Sequence, residues 1–206
     1  VDVWRATFER CGITPQNEQT WTIRCNRMAA EYEARANPTW PMPGASSTLK
    51  RVVDAGYRLG IVSNAQNFTL ALVSDLIANS LSSDGEPAAS AMALEKFSGV
   101  DSGFDPNLCV FSNRYRQAKP GPRLFNVLCD GLQRAGIRPE QAIYVGNDRL
   151  NDIWAASEAG LRTAWFAGDQ RSLRAREDDP RVGGLDQDLV LTVLDQLLEC
   201  LQEEHG

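Results

Sequence analysis

The sequence predicts an α/β fold in which a parallel sheet is covered on both faces by helices, a three-layer α/β/α arrangement. Short apolar segments of strand type alternate with helical segments over most of the 206 residues. Polar residues able to do chemistry directly follow three of these strands, and ligands of parallel sheets bind at such strand ends. The 43% of hydrophobic and 23% of charged residues are typical of a globular protein with one sizeable core.

Three segments lie outside this alternation. Residues 3–35 have the apolar spacing of helices, and Gly12 and Pro15 divide them into two. Residues 37–44 contain three prolines, which predict a stiff linker because proline and the residue before it avoid the helical conformation. Residues 79–106 are rich in Ser, Ala, Gly and Asp and are predicted to be an insertion.

The strands and helices of this alternation are predicted from apolar runs and from the residues at the ends of these runs. Ser46 or Ser47 is predicted to cap a helix that Gly56 closes, and Pro122 fits the first turn of a later helix. Gly160 closes another helix. The predicted helices are 46–55, 70–78, 122–135, 152–159 and 194–201, and the predicted strands are 57–62, 108–111, 142–145, 163–166 and 189–191.

Charge and residue usage exclude several classes of function. A net charge of -6 and a pI near 4.9 argue against general binding to nucleic acid or to an anionic membrane. His205 is the sole histidine and lies next to the last residue, which argues against a Ser-His-Asp hydrolase and a histidine-rich zinc site. The five cysteines show no metal-ligand spacing and no CxxC pair, so we expect reduced thiols in a cytoplasmic protein.

The first of three motifs is Ser63-Asn64, which follows the apolar residues Ile61 and Val62. A hydroxyl and backbone N–H groups at a strand end can hold a phosphoryl oxygen by neutral hydrogen bonds. Ser-Asn after a strand is also ordinary turn chemistry. Alone, this motif is a weak indication of a site.

The second motif places Lys119 in a proline-stiffened loop, Lys119-Pro-Gly-Pro122, just ahead of a helix. A lysine offers a compact positive charge to phosphate and to nearby carboxylates. The alternative is a solvated loop lysine. The chain contains three lysines and eighteen arginines, so we predict that this lysine is buried against a site and not solvated.

The third motif is Gly146-Asn-Asp148-Arg-Leu-Asn-Asp152, at the end of a predicted strand and the start of a helix. Two carboxylates so placed suit Mg²⁺, which binds hard oxygen ligands and keeps several waters. The alternative is helix capping by Asp148 or Asn151. Because capping alone does not require two acids and a glycine, the spacing favours a metal site.

Taken in order, Ser63-Asn64, Lys119-Pro120 and the Asp148/Asp152 pair resemble the second, third and fourth motifs of the haloacid dehalogenase superfamily. The resemblance implies a Rossmann-like core at residues 41–206 and part of a small helical cap at residues 1–40. It further implies a hydrolase, a Mg²⁺-dependent phosphatase of a small phosphorylated metabolite, that works through an aspartyl-phosphate intermediate.

The resemblance also implies residue roles. Ser63 and Lys119 are the catalytic candidates, Ser63, Asn64 and Lys119 bind the substrate, and Asp148 and Asp152 hold the metal. The resemblance departs at Asn147, where relatives often have Asp, and we expect Asp148 to take over as metal ligand.

The family's first motif, an apolar strand that ends in a nucleophilic aspartate, has no convincing counterpart in these residues. Asp2 lacks a preceding strand, and Asp186 follows two glycines near the other end of the chain. We therefore expect a preceding stretch that carries the nucleophile and the central strand of the sheet. Without it, residues 1–206 are expected to be inactive and to self-associate through the open sheet edge.

Two alternatives remain open at this stage. One is a metal-free hydrolase of the 2-haloacid dehalogenase type, against which the two acids argue because a halide site gains nothing from them. The other is a non-catalytic binding or scaffold protein with a degenerate fold of this family. The sequence does not identify the substrate or the oligomeric state.

Overall fold

The computed structural model describes residues 2–14, 17–36, 41–65, 69 and 104–203. The predicted helix at 70–78 and the insertion up to residue 103 lie outside these residues. None of the described helices is long and apolar enough to cross a membrane.

The N-terminal part forms two helices, α1 (Asp2–Arg10) and α2 (Glu18–Ala36), as the sequence predicts. They pack through aromatic pairs whose ring centroids lie 5.3 Å apart, Trp4 with Tyr32 and Phe8 with Trp21. The Trp21 side chain is fully buried. Burial of aromatic surface is therefore what holds this pair of helices together.

A third helix, α3 (Ala45–Asp54), begins differently from the prediction. Its N-cap is Gly44 in a left-handed conformation (φ 78°), and no side chain caps it. Ser47 already lies inside the helix, where its hydroxyl donates to the Gly44 carbonyl at 2.9 Å. The prediction of Ser46 or Ser47 as the cap is wrong, because glycine turns the chain directly into the helix.

The first sheet pairs β1 (Leu59–Ser63) with β2 (Phe104–Phe111) in parallel, and their carboxyl ends meet at the Ser63–Phe111 pair. Strand β2 begins four residues before the predicted strand. Gly60 allows the close approach of the two strands, since a Cβ atom there would lie 2.7 Å from the Leu108 carbonyl oxygen.

The second sheet contains three parallel strands, β3 (Ile143–Gly146), β4 (Arg162–Phe166) and β5 (Leu189–Leu191), with β4 in the middle. The predicted strands are confirmed to within one residue at either end. The remaining helices are α4 (Arg123–Arg134), a π-helix (Arg149–Trp154) that continues into α5 (Ala155–Glu158), and α6 (Gln196–Glu203). Short 3₁₀ turns occur at Ser112–Arg114, Pro139–Gln141 and Pro180–Val182.

No backbone ladder joins β1 to β3 in the described part of the chain. The break lies where the family resemblance places a further strand. Tyr144 on β3 crosses it, because it packs against a hydrophobic cluster that includes residues of β1 and β2, and its hydroxyl donates to the Val62 carbonyl on β1 at 2.8 Å. That cluster comprises Val62, Leu108, Val110, Leu124, Phe125, Leu128, Leu132, Ala155, Ala156 and Leu161, and a separate one contains Ala164, Phe166 and Leu191 of β4 and β5.

Candidate functional site

The Lys119 ammonium group is the centre of the site. Its side chain is 9% exposed, and its Nζ atom donates to the Val62 carbonyl at 3.1 Å, to the Tyr144 hydroxyl at 2.9 Å and to Asp152 Oδ1 at 2.5 Å. These three acceptors use all three N–H donors of the ammonium. The predicted burial of Lys119 is confirmed.

Asp152 is the anionic partner of this lysine and is 8% exposed. Its second carboxylate oxygen, Oδ2, accepts the backbone N–H of Asp148 at 3.0 Å. Gly146 lets the carboxylate come this close to the strand end, because a Cβ atom there would overlap the Asp152 side chain. Close packing therefore accounts for the glycine at position 146, and the ion pair with Lys119 accounts for the acid at position 152.

Tyr144 is a residue that the sequence reasoning missed. Its hydroxyl links Lys119 to Val62 and lies 3.4 Å from Asp152 Oδ1, and its ring packs edge-on against Phe125. Burial, the negative charge of Asp152 and the hydrogen bond to that carboxylate raise the Tyr144 pKa well above its usual value, so the hydroxyl keeps its proton. A tyrosine in an otherwise apolar strand that ends at the acidic motif was the available signal.

Ser63 ends β1 and is half-buried. Its hydroxyl makes one long contact, 3.5 Å to the Asn64 carbonyl oxygen. A hydrogen bond of that length is weak. The Ser63 hydroxyl is therefore able to donate to a bound oxyanion at little cost.

The loop after β1 is fastened to the neighbouring loops by two reciprocal pairs of hydrogen bonds. Asn64 Oδ1 accepts the Lys119 backbone N–H at 2.7 Å, and Asn64 Nδ2 donates to the Lys119 carbonyl at 3.3 Å. The Ser112 hydroxyl accepts the Ala65 N–H at 2.8 Å and contacts the Ala65 carbonyl oxygen at 3.3 Å. The ends of β1 and β2 and the Lys119 loop are thus held in one arrangement.

Asp148 is buried and caps the π-helix, where its Oδ1 accepts the N–H groups of Leu150 and Asn151, both at 3.0 Å. Arg176 Nη2 also donates to its Oδ2 at 2.6 Å. Burial raises the Asp148 pKa, but the Arg176 hydrogen bonds, the N–H donors and the positive charge of Arg176 outweigh it, so the pKa is lowered overall. Capping, the alternative for this residue, is therefore a real part of its structural role.

Arg176 was also missed by the sequence reasoning, because it lies in a loop without a recognisable motif. Its backbone adopts φ 55°, a conformation that is unfavourable for residues other than glycine. The loop is held beside the acidic motif by the Arg149 N–H, which donates to the Arg174 carbonyl at 2.9 Å, and by the Arg174 N–H, which donates to the Asn147 carbonyl at 3.1 Å. The Asn147 side-chain amide donates to the Ser172 carbonyl.

Asp148 and Asp152 provide the type of ligand that Mg²⁺ binds, since two carboxylates together with waters and a phosphate oxygen form a usual magnesium site. Within the described residues no cluster of three or more His, Cys, Asp or Glu side chains provides a site made by protein alone. Both oxygens of Asp148 already accept hydrogen bonds from cationic or N–H donors. A metal ion at Asp148 therefore has to displace Arg176, whose side chain is 42% exposed and has solvent to move into.

The two poor candidates for a nucleophile do not lie at the carboxyl end of a described strand. Asp2 lies in helix α1. Asp186 lies just before β5, at the amino end of that strand, whereas Ser63 and Gly146 lie at carboxyl ends. Its neighbour Asp188 accepts the Thr163 N–H at 2.7 Å and has a structural role.

The sequence model of a hydrolase family described as haloacid dehalogenase-like hydrolase matches residues 13–160. Glyceraldehyde 3-phosphate phosphatase of Pyrococcus furiosus is 28% identical over 166 residues, which are 80% of this chain and 56% of that protein. Phosphoserine phosphatase of Thermus thermophilus is 34% identical over 95 residues, which are 44% of this chain and 36% of that protein. The chain spans about half the length of the first curated relatives it matches.

Solved structures show the same fold at low sequence identity. A HAD phosphatase from Thermococcus onnurineus matches with a TM-score of 0.56 and 19% identity over 96% of this chain and 70% of that one. The L-2-haloacid dehalogenase RSc1362 matches with a TM-score of 0.53 and 17% identity over 96% of this chain and 68% of that one. Phosphatases and dehalogenases thus share this architecture, and only the site residues distinguish them.

Proposed function

Because this chain belongs to the haloacid dehalogenase-like hydrolases, we propose that the protein is a Mg²⁺-dependent phosphatase of a small phosphorylated metabolite. The observation that carries the proposal is the buried Lys119–Asp152 pair, whose ammonium donates to the carbonyl of Val62, the residue before Ser63. A buried ion pair costs desolvation free energy and is weak as a stabilising device. Its place at the strand ends, where ligands of parallel sheets bind, favours a role in chemistry.

In the proposed mechanism Ser63 donates a hydrogen bond to a phosphoryl oxygen and Lys119 compensates the charge that develops during transfer. Asp152 and the Tyr144 hydroxyl hold the ammonium so that it needs no reorganisation when the substrate binds. The reaction also needs a carboxylate that attacks phosphorus and displaces the substrate's alcohol oxygen, which takes up a proton as it leaves. The aspartyl-phosphate formed is then hydrolysed by water, which releases inorganic phosphate and restores the carboxylate. None of the aspartates that the structure describes has the strand and spacing that this step requires.

Asp148 and Asp152 are the residues we propose as metal ligands. Bound there, Mg²⁺ would supply charge neutralisation to the phosphoryl group. When no metal is bound, Arg176 neutralises Asp148 and Lys119 neutralises Asp152, which explains how two acids can lie buried at one strand end. The negative charges of Asp148 and Asp152 are thus balanced by cations whether or not a metal ion is bound.

The relatives that are phosphatases of glyceraldehyde 3-phosphate and of phosphoserine support a small phosphorylated substrate. We propose that residues 1–40 belong to a cap that selects this substrate and excludes water, and that residues 41–206 form the core. The proposed setting is the cytoplasm, where such metabolites occur, without a nucleic-acid or membrane partner.

Magnesium binding gives a test that does not depend on turnover. Titration calorimetry on the full-length protein should detect Mg²⁺ binding that Asp148→Ala abolishes. Arg176→Ala should strengthen the binding by about tenfold, because it removes a charged hydrogen-bond partner from the ligand.

Arg171→Ala is the matched control, since it removes a positive charge from the same loop and Arg171 has no side-chain contact with Asp148 in the described residues. If Arg171→Ala strengthens magnesium binding as much as Arg176→Ala does, the effect is general electrostatics. If Asp148→Ala leaves binding unchanged, the assignment of this ligand is wrong.

A further inference from the structure

The sequence predicts Asn64 as one of the substrate-binding residues. The geometry points to a different role, which rests on the proposed phosphatase function: Asn64 is a positioning residue that fixes the backbone of Lys119 and acts on the reaction through that lysine. Its amide oxygen and its amide nitrogen both bind the Lys119 peptide groups, at 2.7 Å and 3.3 Å.

An amide side chain suits this pairing. Asn presents one acceptor oxygen and one NH₂ group, and these match the N–H and the C=O of a single residue. A carboxylate would instead place a second acceptor against the Lys119 carbonyl. An amide committed in this way has little left to offer a ligand apart from one N–H.

Pro120 and Pro122 stiffen the Lys119 loop, but a proline has no backbone N–H with which to tie the loop to β1. Its neighbour Ala118 is exposed, and α4 begins four residues later, at Arg123. The ammonium makes its three hydrogen bonds only while the backbone at the other end of a long flexible side chain stays in place. The Asn64 pairing ties that backbone to the end of β1, next to Ser63, which is the other phosphate-binding candidate.

A double-mutant cycle on the full-length protein tests the inference. Asn64→Ala should lower the kcat for a generic aryl phosphate by about tenfold, since two hydrogen bonds that hold the lysine are lost. In a Lys119→Ala background the same change should have no further effect. Equal losses in both backgrounds would show that Asn64 contacts the substrate independently and would overturn the inference.

A second readout separates this inference from the proposed function. The rate at which each lysine amine is acylated can be measured by peptide mapping. Acylation of Lys119 should be several-fold faster in Asn64→Ala than in the wild-type protein, while the rate at exposed Lys50 stays constant. Asn126→Ala, which alters an exposed asparagine of α4, should change neither rate. If the full-length protein has no phosphatase activity, the proposed function fails, and an unchanged Lys119 rate would then refute the positioning role separately.

Discussion

Lys119→Arg is expected to lower phosphatase turnover of the full-length protein by about a hundredfold, the usual cost of losing a preorganised hydrogen-bond donor in an active site. Arginine keeps the positive charge, but its planar guanidinium cannot donate to the Val62 carbonyl, the Tyr144 hydroxyl and Asp152 from the volume that the ammonium occupies. Steady-state kinetics on an aryl phosphate measures the effect.

Lys50→Arg is the control for that substitution. Lys50 is exposed and pairs with Asp54 one turn away on α3. Its replacement should leave turnover unchanged. Near-normal turnover in Lys119→Arg as well would show that the lysine has no catalytic part.

Asp152→Ala is expected to destabilise the full-length protein by about 3–5 kcal/mol, because it leaves the Lys119 ammonium buried without its anionic partner. Urea unfolding measures the free energy, and a parallel loss of turnover is expected. The matched change Asp54→Ala breaks an exposed lysine–aspartate pair and should cost only about 0.3–0.5 kcal/mol. Equal costs for the two changes would contradict the buried-pair interpretation.

The sequence predicted the positions of the strands well because a short apolar run bounded by glycine or proline seldom forms another type of element. It also predicted that Lys119 lies against the acidic motif, since the carboxyl ends of parallel strands lie along one edge of a sheet. The burial of Lys119 followed from its rarity and from the prolines around it.

The rest depended on contacts between residues distant in the sequence. Asp148 and Arg176 are 28 residues apart, and no local pattern shows that a loop arginine returns to an acid at a strand end. The Tyr144 hydroxyl could equally have pointed toward solvent, and the amide of Asn64 toward a ligand. Such choices are made by the tertiary packing of side chains, which periodicity and spacing do not encode.

The gap between β1 and β3 bears on the expectation of a missing central strand. Only side chains connect β1 to β3 in the described residues, through Tyr144 and Lys119. The lysine that we propose as catalytic lies beside this gap. A carboxylate carried on a strand between β1 and β3 would therefore be delivered next to the ammonium and the Ser63 hydroxyl.

The measurement that tests the central claim most directly is product release by the full-length protein with two substrates, an aryl phosphate and a 2-haloacid, each with and without Mg²⁺. Our account predicts inorganic phosphate release that depends on Mg²⁺ and no halide release. Halide release without metal would show a dehalogenase, and the absence of both products would favour a binding protein that has kept the fold. Either result would contradict the phosphatase proposal.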